Sequence, residues 1–205
     1  MERLPDKTVE RLSKYRRALF ASMIEGKTHI YSHEIAKMFH ITPVQVRRDI
    51  MLIGYSGSQS KGYYIKGLTE LISDIIDTPE GIKAAVVGMG NLGRSIIGYF
   101  NGKRSKLTIV AAFDINPEKV DKEFVGVKCY PYDKLTEIVK KEKISVGVIT
   151  VPAIAAVNVA ENLIKSGVKG ILNYAPKSLN VPSSVYLEEY DMITSLEKVA
   201  YFVKH

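Results

Sequence analysis

Three short helical patterns in a basic N-terminal third, a Gly-x-Gly-x-x-Gly turn between a strand and a helix, and strands alternating with helices beyond it predict an α/β protein. The expected order is an N-terminal winged helix-turn-helix, then a Rossmann-like doubly wound parallel sheet. A chain of 205 residues is long for one domain and short for two large ones, so two small domains fit it. We expect the first to occupy 1–78 and the second 79–187, with a separate C-terminal helix over 188–205.

The first helix is read from Val9, Leu12, Leu19, Phe20, Met23 and Ile24, which recur at helical spacing before Gly26. A second short helix, Ser32–Phe39, takes Ser32 as N-cap and turns Ile35, Ala36 and Phe39 inward. The third is the most sharply marked, in ITPVQVRRDIMLIG. Thr42 is an N-cap, Pro43 suits the first helical position, and Gln45 completes a capping box. Val46, Ile50 and Ile53 form its buried stripe and Gly54 ends it, leaving Gln45 and Arg48 on the far face and Arg47 on the flank. The turn YSGSQSKGYYI then leads into a short β-like run, the place of a wing. In this arrangement the third helix enters the DNA major groove. Arg pairs bidentately with guanine and Gln with adenine, so Arg48 and Gln45 suit base reading.

Charge agrees with that placement. Residues 1–67 hold 12 Lys/Arg against 6 Asp/Glu, whereas residues 68–205 hold 17 against 16. The net +7 is therefore concentrated in the first domain, as a polyanion partner would require and as a lysine-rich solvated surface also allows.

In the second domain the buried strand IKAAVVG runs into Gly88-Met-Gly90-Asn91-Leu92-Gly93, and a helix follows. Gly88 permits the tight turn, Gly90 lets the main chain approach a pyrophosphate, and Gly93 allows close helix–strand packing. The phosphates would rest on the helix N-terminus, where free N–H groups and the dipole favour negative charge. A second strand, LTIVAAFD, ends at Asp114, where a carboxylate binds a ribose 2′-OH and repels a 2′-phosphate. No Arg follows it, so NAD(H) is favoured over NADP(H), while another nucleotide such as coenzyme A stays open. A helix at Tyr132–Lys141, the strand ISVGVITV, a helix at Ile154–Lys165 and the strand VKGILNY complete the alternation. Ligands of such sheets lie at the carboxyl ends of strands, which places Thr150, Pro152 and Asn173 at the nicotinamide end.

The sequence argues against catalysis. His29, His33, His40 and His205 read as solvated or capping residues. Cys129, the single cysteine, reads as packed, fits a reducing cytoplasmic setting, and excludes both an intramolecular disulfide and a Cys-based metal cluster. No catalytic residue and no metal ligand is expected, and too little chain follows the sheet for a substrate domain. A charged N-terminus is unlike a signal peptide, and the longest uncharged run, 17 residues from Ile144 to Ala160, is shorter than the ~20 a membrane helix needs. The final segment DMITSLEKVAYFVKH carries the apolar stripe Met192, Leu196, Val199 and Val203, widened by Ile193 and Ala200. It can pack on its own sheet or on a second subunit, and the sequence leaves both open.

In their joint order, QVRRD, GMGNLG, ITVPA, GILNYAP and an aspartate-led terminal helix resemble the Rex family of redox-sensing transcriptional repressors. The resemblance implies a homodimer with a domain-swapped C-terminal helix. It also implies binding of palindromic, double-stranded operator DNA when free or with NAD⁺, and release on binding NADH. It places Gln45, Arg47, Arg48 and Asp49 around the DNA, joined by Thr42 and by Lys61 and Tyr63 of the wing. The implied nucleotide set is Gly88, Gly90, Asn91, Leu92, Gly93, Tyr99, Asp114, Thr150, Pro152 and Asn173. Arg17, Tyr99 and Asp191 are implied to exchange partners between two states. The wing departs from the family's basic, glycine-rich pattern near GKRGVGY. Here it reads GSQSKGY, keeping Gly57, Gly62 and Tyr63 but placing Gln59 where a basic residue is usual and leaving Lys61 as the remaining cation.

Overall fold

The structure, a computed structural model, describes residues 3–100 and 106–204. His205 lies outside the described residues. The chain divides into two compact units, Met1–Thr78 and Pro79–His205.

The N-terminal unit is built from α1 (Asp6–Ile24), β1 (His29–Ile30), α2 (Ser32–Phe39), α3 (Pro43–Leu52), β2 (Tyr63–Tyr64) and α4 (Ile65–Ile76). Helix α4 was not expected, although Ile65, Leu68 and Ile72 repeat at helical spacing and are buried. It packs against α1, while α2 packs against α3. The two short strands pair antiparallel, Ile30 opposite Tyr63.

The buried line of α1 is Thr8, Leu12, Tyr15, Arg16, Leu19 and Ser22. Val9, Phe20, Met23 and Ile24, which also recur at helical spacing, are exposed. The most apolar face is displaced because the polar members of the buried line have partners across the unit. Arg16 Nη1 donates to Asp77 Oδ2 at 2.9 Å, and Tyr15 Oη to Asp49 Oδ2 at 2.8 Å. Buried polar groups survive when they are paired.

Local signals on α2 and α3 also need adjusting. Tyr31, not Ser32, is the N-cap of α2, and its N–H donates to Glu34 Oε2 at 2.8 Å. Thr42 does cap α3, accepting from the Gln45 N–H at 3.1 Å. The return bond of a capping box is absent, because the Gln45 side chain points along the helix to Asp49 Oδ1 at 3.0 Å.

The second unit holds a seven-stranded sheet in the order β5-β6-β4-β3-β7-β8-β9. The strands are β3 (Ile82–Val87), β4 (Leu107–Asp114), β5 (Glu123–Phe124), β6 (Val127–Pro131), β7 (Val146–Ile149), β8 (Gly170–Asn173) and β9 (Tyr186–Glu189). All neighbours pair parallel except the β5–β6 hairpin, which like β9 was not expected. Helices α5 (Asn91–Phe100), α6 (Leu135–Glu142) and α7 (Ala153–Lys165) make the crossovers. Two apolar clusters, one centred on Phe113, Ile149 and Leu163 and one on Val86, Met89 and Ile97, bury the two faces of the sheet. The strand order changes direction between β3 and β7, and doubly wound sheets bind ligands at that crevice.

Helix α8 (Met192–Lys204) buries none of its residues. Met192, Ile193, Leu196, Val199 and Val203 are exposed, so the option of packing on its own sheet is not taken.

Candidate functional site

The crevice at the end of β3 begins at Gly88, which has φ +101° and would bring a Cβ to 2.8 Å from the Thr150 carbonyl oxygen. Only glycine tolerates both conditions. At Gly93 a Cβ would lie 2.1 Å from the Gly88 oxygen, so α5 sits directly on the strand that feeds it. A Cβ on Gly90 would meet nothing within 4 Å, leaving main chain bare toward the cavity at the N-terminus of α5. The Thr150 hydroxyl lies 2.7 Å from the Gly88 oxygen and 3.0 Å from that of Val87, pinning the turn to the end of β7.

The cavity has a volume of about 760 Å³, within the usual range for a nucleotide-sized ligand. Gly88, Gly90, Leu92, Asp114, Thr150 and Pro152 line it. Asp114, 8% exposed, accepts the Met89 N–H on Oδ2 at 2.7 Å and the Asn116 N–H on Oδ1 at 2.8 Å. Lys119 Nζ stands 3.2 Å from Oδ2. Burial opposes ionisation of Asp114, but the two main-chain donors and Lys119 outweigh it and hold the carboxyl below its usual range. One acceptor direction on Oδ1 is left for a ribose hydroxyl. No arginine follows Asp114 in the sequence, but Lys119 stands beside it and offsets its charge.

The other expected members are placed differently. Asn91 opens α5 and accepts from Arg94 Nη2 on Oδ1 at 3.0 Å. Tyr99 is 64% exposed on α5, edge-on to Phe100, and does not line this cavity. Asn173 does not line the cavity either. It is 1% exposed and spent on its own turn, donating to the Lys177 oxygen at 2.8 Å and to Glu189 Oε1 at 3.2 Å, and accepting the Ala175 N–H at 3.0 Å. Its neighbour Tyr174 lines the cavity instead and stacks on Tyr190.

On the N-terminal unit, Thr42, Arg47 and Arg48 are exposed along α3, and Val44 and Met51 share the outward face. Arg47 Nη1 donates to Ser32 Oγ at 3.2 Å. Asp49 is not on that face. It is 2% exposed, gripped by Arg11 Nε at 2.6 Å and Nη2 at 2.7 Å, by Tyr15 and by Gln45. Burial again opposes ionisation, and these donors together hold Asp49 below the carboxylate range. Asp49 thus bolts α3 to α1 and orients Gln45, whose amide nitrogen is committed to it.

The wing is a tight loop closed by Ser58 and Gly62, whose N–H and C=O groups pair both ways at 2.9 and 2.8 Å. Tyr31 Oη donates to the Ser60 oxygen at 2.6 Å, tying the loop to the start of α2. Lys61 is exposed within it. Tyr63, expected at the DNA, is turned inward and 9% exposed, because β2 sets it opposite the buried Ile30 while Tyr64 faces outward.

Among the three expected switch residues, Arg17 is exposed in the first unit, with Nη1 3.4 Å from Ser13 Oγ. Asp191 in the second unit caps α8, accepting the N–H groups of Ile193 and Thr194 at 2.9 and 3.0 Å. Cys129 is buried, and burial pushes its thiol up to about 11. Among the described residues no group of His, Cys, Asp and Glu could hold a metal, and no helix is long and apolar enough to cross a membrane.

Comparison with known proteins bears on both units. Residues 3–50 match the family model of a putative DNA-binding protein N-terminus, and residues 80–177 match that of a CoA binding domain. The redox-sensing transcriptional repressor Rex of Bacillus licheniformis is 34% identical over 99% of this chain and 94% of its own. That of Carboxydothermus hydrogenoformans is 36% identical over 98% and 97%. The chain belongs to the Rex family. A Rex-family repressor, RSP, solved with β-NAD⁺ and operator DNA, superposes with a TM-score of 0.91 at 27% identity, covering 99% of this chain and 94% of its own. Its β-NADH complex gives 0.86 at 26%, covering 99% and 95%. These Rex relatives are named as repressors rather than enzymes, in line with the expectation against catalysis.

Proposed function

We propose that this Rex chain is a transcriptional repressor that senses the NADH/NAD⁺ ratio. It binds a palindromic operator when free or with NAD⁺ and leaves it on binding NADH. The observation that carries this reading is the pairing, in one chain, of an outward Arg47–Arg48 face on a capped helix with a glycine-turn cavity ending at Asp114. In this reading 1–78 binds DNA, 79–187 binds the dinucleotide, and 188–205 joins two copies. The exposed apolar stripe of α8 supports the last assignment, since such a face needs a partner. The site of action is the cytoplasm, where operator DNA lies.

Thr42, Arg47 and Arg48 supply the DNA contacts of α3, Gln45 contributes what Asp49 leaves free, and Lys61 is the wing's cation. Gly88, Gly90, Asn91, Leu92 and Gly93 hold the pyrophosphate, Asp114 the ribose, and Thr150 and Pro152 the approach to the nicotinamide. NAD⁺ carries a positive charge on the nicotinamide ring and NADH does not. Tyr99, Asp191 and Arg17 belong to the contacts that differ between the two states of the dimer. Turning a population from 1:99 to 99:1 takes a differential affinity of roughly 5.5 kcal/mol. Closure would carry the two α3 helices off the ~34–36 Å spacing of successive major grooves.

Operator binding followed by fluorescence anisotropy, with NADH, NAD⁺, NADPH or coenzyme A added, tests the reading. Release by NADH alone is the expected result, and indifference to all four would overturn it. By linkage, operator DNA should weaken NADH binding by the same factor.

A further inference from the structure

The corner that opens α2 holds both parts of the N-terminal unit assigned to DNA. Tyr31 Oη donates to the main-chain oxygen of Ser60 at 2.6 Å, and the next residue, Ser32, accepts Arg47 Nη1 of α3 on Oγ at 3.2 Å. Tyr31 is itself fixed from three sides. Its N–H donates to Glu34 Oε2 at 2.8 Å, and its ring lies 5.4 Å from that of His33 at 15°, nearly parallel. Gly62 packs so closely that a Cβ there would stand 2.5 Å from the Ile30 oxygen and 3.1 Å from Tyr31 Cδ1. Ser60 is the middle residue of the loop that Ser58 and Gly62 close. Among the described residues the other bonds of this tip are local, running from the Ser58 hydroxyl to the hydroxyl and N–H of Ser60 at 3.0 and 3.3 Å. The Tyr31 hydroxyl is what joins the tip to the body of the unit.

We propose that Tyr31 is a positioning residue for DNA binding: it holds the wing preformed, so that Lys61 leaves the backbone at a fixed place relative to Arg47 and Arg48. The proposal rests on the DNA reading above. Residues 56–62 contain one cation, Lys61, which adjoins the held Ser60. A single exposed ammonium on a long stem gains little from a phosphate if the loop beneath it must be ordered at the same moment. A loop already closed by Ser58 and Gly62 and tied at its tip avoids that loss, and the phosphate contact is then realised as affinity. Tyr31 acts through Ser60 on Lys61 and need not touch DNA.

The test is a double-mutant cycle on the full chain. A duplex operator is first selected from random-sequence DNA by the wild-type protein, and binding to it is measured by fluorescence anisotropy across salt concentrations. Lys61→Ala should weaken the wild type several-fold and lower the slope of log K against log salt by about 0.9 for each chain bound, the signature of one phosphate contact. Tyr31→Phe keeps the ring and removes only the hydroxyl. It should weaken binding about 2- to 10-fold, the worth of one hydrogen bond, and lower that slope as well, with NADH affinity unchanged. In the Tyr31→Phe background Lys61→Ala should then cost less than about twofold. Arg48→Ala on α3 should cost the same in both backgrounds, whereas a general loosening of the unit would change it. A Tyr31→Phe protein with wild-type affinity and slope, losses that simply add in the Tyr31–Lys61 double variant, or an Arg48 effect that shifts with Tyr31 each overturn the proposal and leave the DNA reading standing. A wild type that selects no duplex overturns the DNA reading itself.

Discussion

Asp49 and Asp114 are alike in burial and in being held below the usual carboxylate range, yet they do opposite work. Asp49 receives its donors from side chains on two helices, Arg11 and Tyr15 on α1 and Gln45 on α3, and is closed to any ligand. Asp114 is held mainly by main-chain N–H groups of the turns beside it and still faces a cavity. The contrast teaches that a buried charge is a fastener when side chains from distant elements converge on it. It is a gauge when local backbone holds it and one lone pair is left over.

The largest effect that would sharpen this contrast is on stability. Asp49→Ala strands Arg11 and Tyr15 and should destabilise the N-terminal unit by about 3 kcal/mol, read from urea unfolding. A loss under 1 kcal/mol would mean that the bolt is not one. Asp114→Ala should instead weaken NADH by roughly tenfold to a hundredfold, the worth of a hydrogen bond to a charged group, with operator affinity of the ligand-free protein unchanged. If operator binding falls as well, Asp114 is a fastener too and the comparison breaks. Arg48→Ala should cost ~1–3 kcal/mol of discrimination between operator and mismatched DNA while sparing stability. Retained discrimination would move base reading elsewhere on α3, with Val44, an apolar group suited to a thymine methyl, as the next candidate.

The smallest effect is on acid tolerance. Both carboxylates ionise more readily folded than unfolded. Each therefore adds stability that is fully present above the unfolded Asp value of ~3.9 and lost as pH falls through the lower folded value. Urea midpoints should be flat near neutrality and decline below about pH 5. Asp49→Asn should flatten that decline for the N-terminal unit, and an unchanged slope would contradict the assignment.

What was legible in the sequence was local. Thr42 and Pro43 announce α3 within two residues, and Gly88 to Gly93 announce the turn because each glycine answers a clash only a few atoms away. What was not legible was pairing over distance. Asp49 meets Arg11 from 38 positions away, and although it stands one helical turn from the buried Val46, nothing in QVRRD names its partner. Helical spacing likewise does not tell that Val9, Phe20, Met23 and Ile24 are exposed while Arg16 and Tyr15 are buried with their partners. Asn173 was expected at the ligand from its place at the end of a strand and Tyr63 at the DNA from the family resemblance, but which way each side chain faces is decided by pairing and turn bonding that the pattern does not display. Helix α4 is legible in the spacing of Ile65, Leu68 and Ile72, directly after the two residues of β2.

Helix α8 has a consequence for how much of this protein can be stable at all. On the proposed assignment of α8 to a second copy, a helix with no buried residue in its own chain draws its cohesion from association, and association obeys mass action. Where two copies satisfy each other's α8, the melting temperature should climb with protomer concentration. Dilution alone then becomes a denaturant, and the abundance of the protein a term in its own stability.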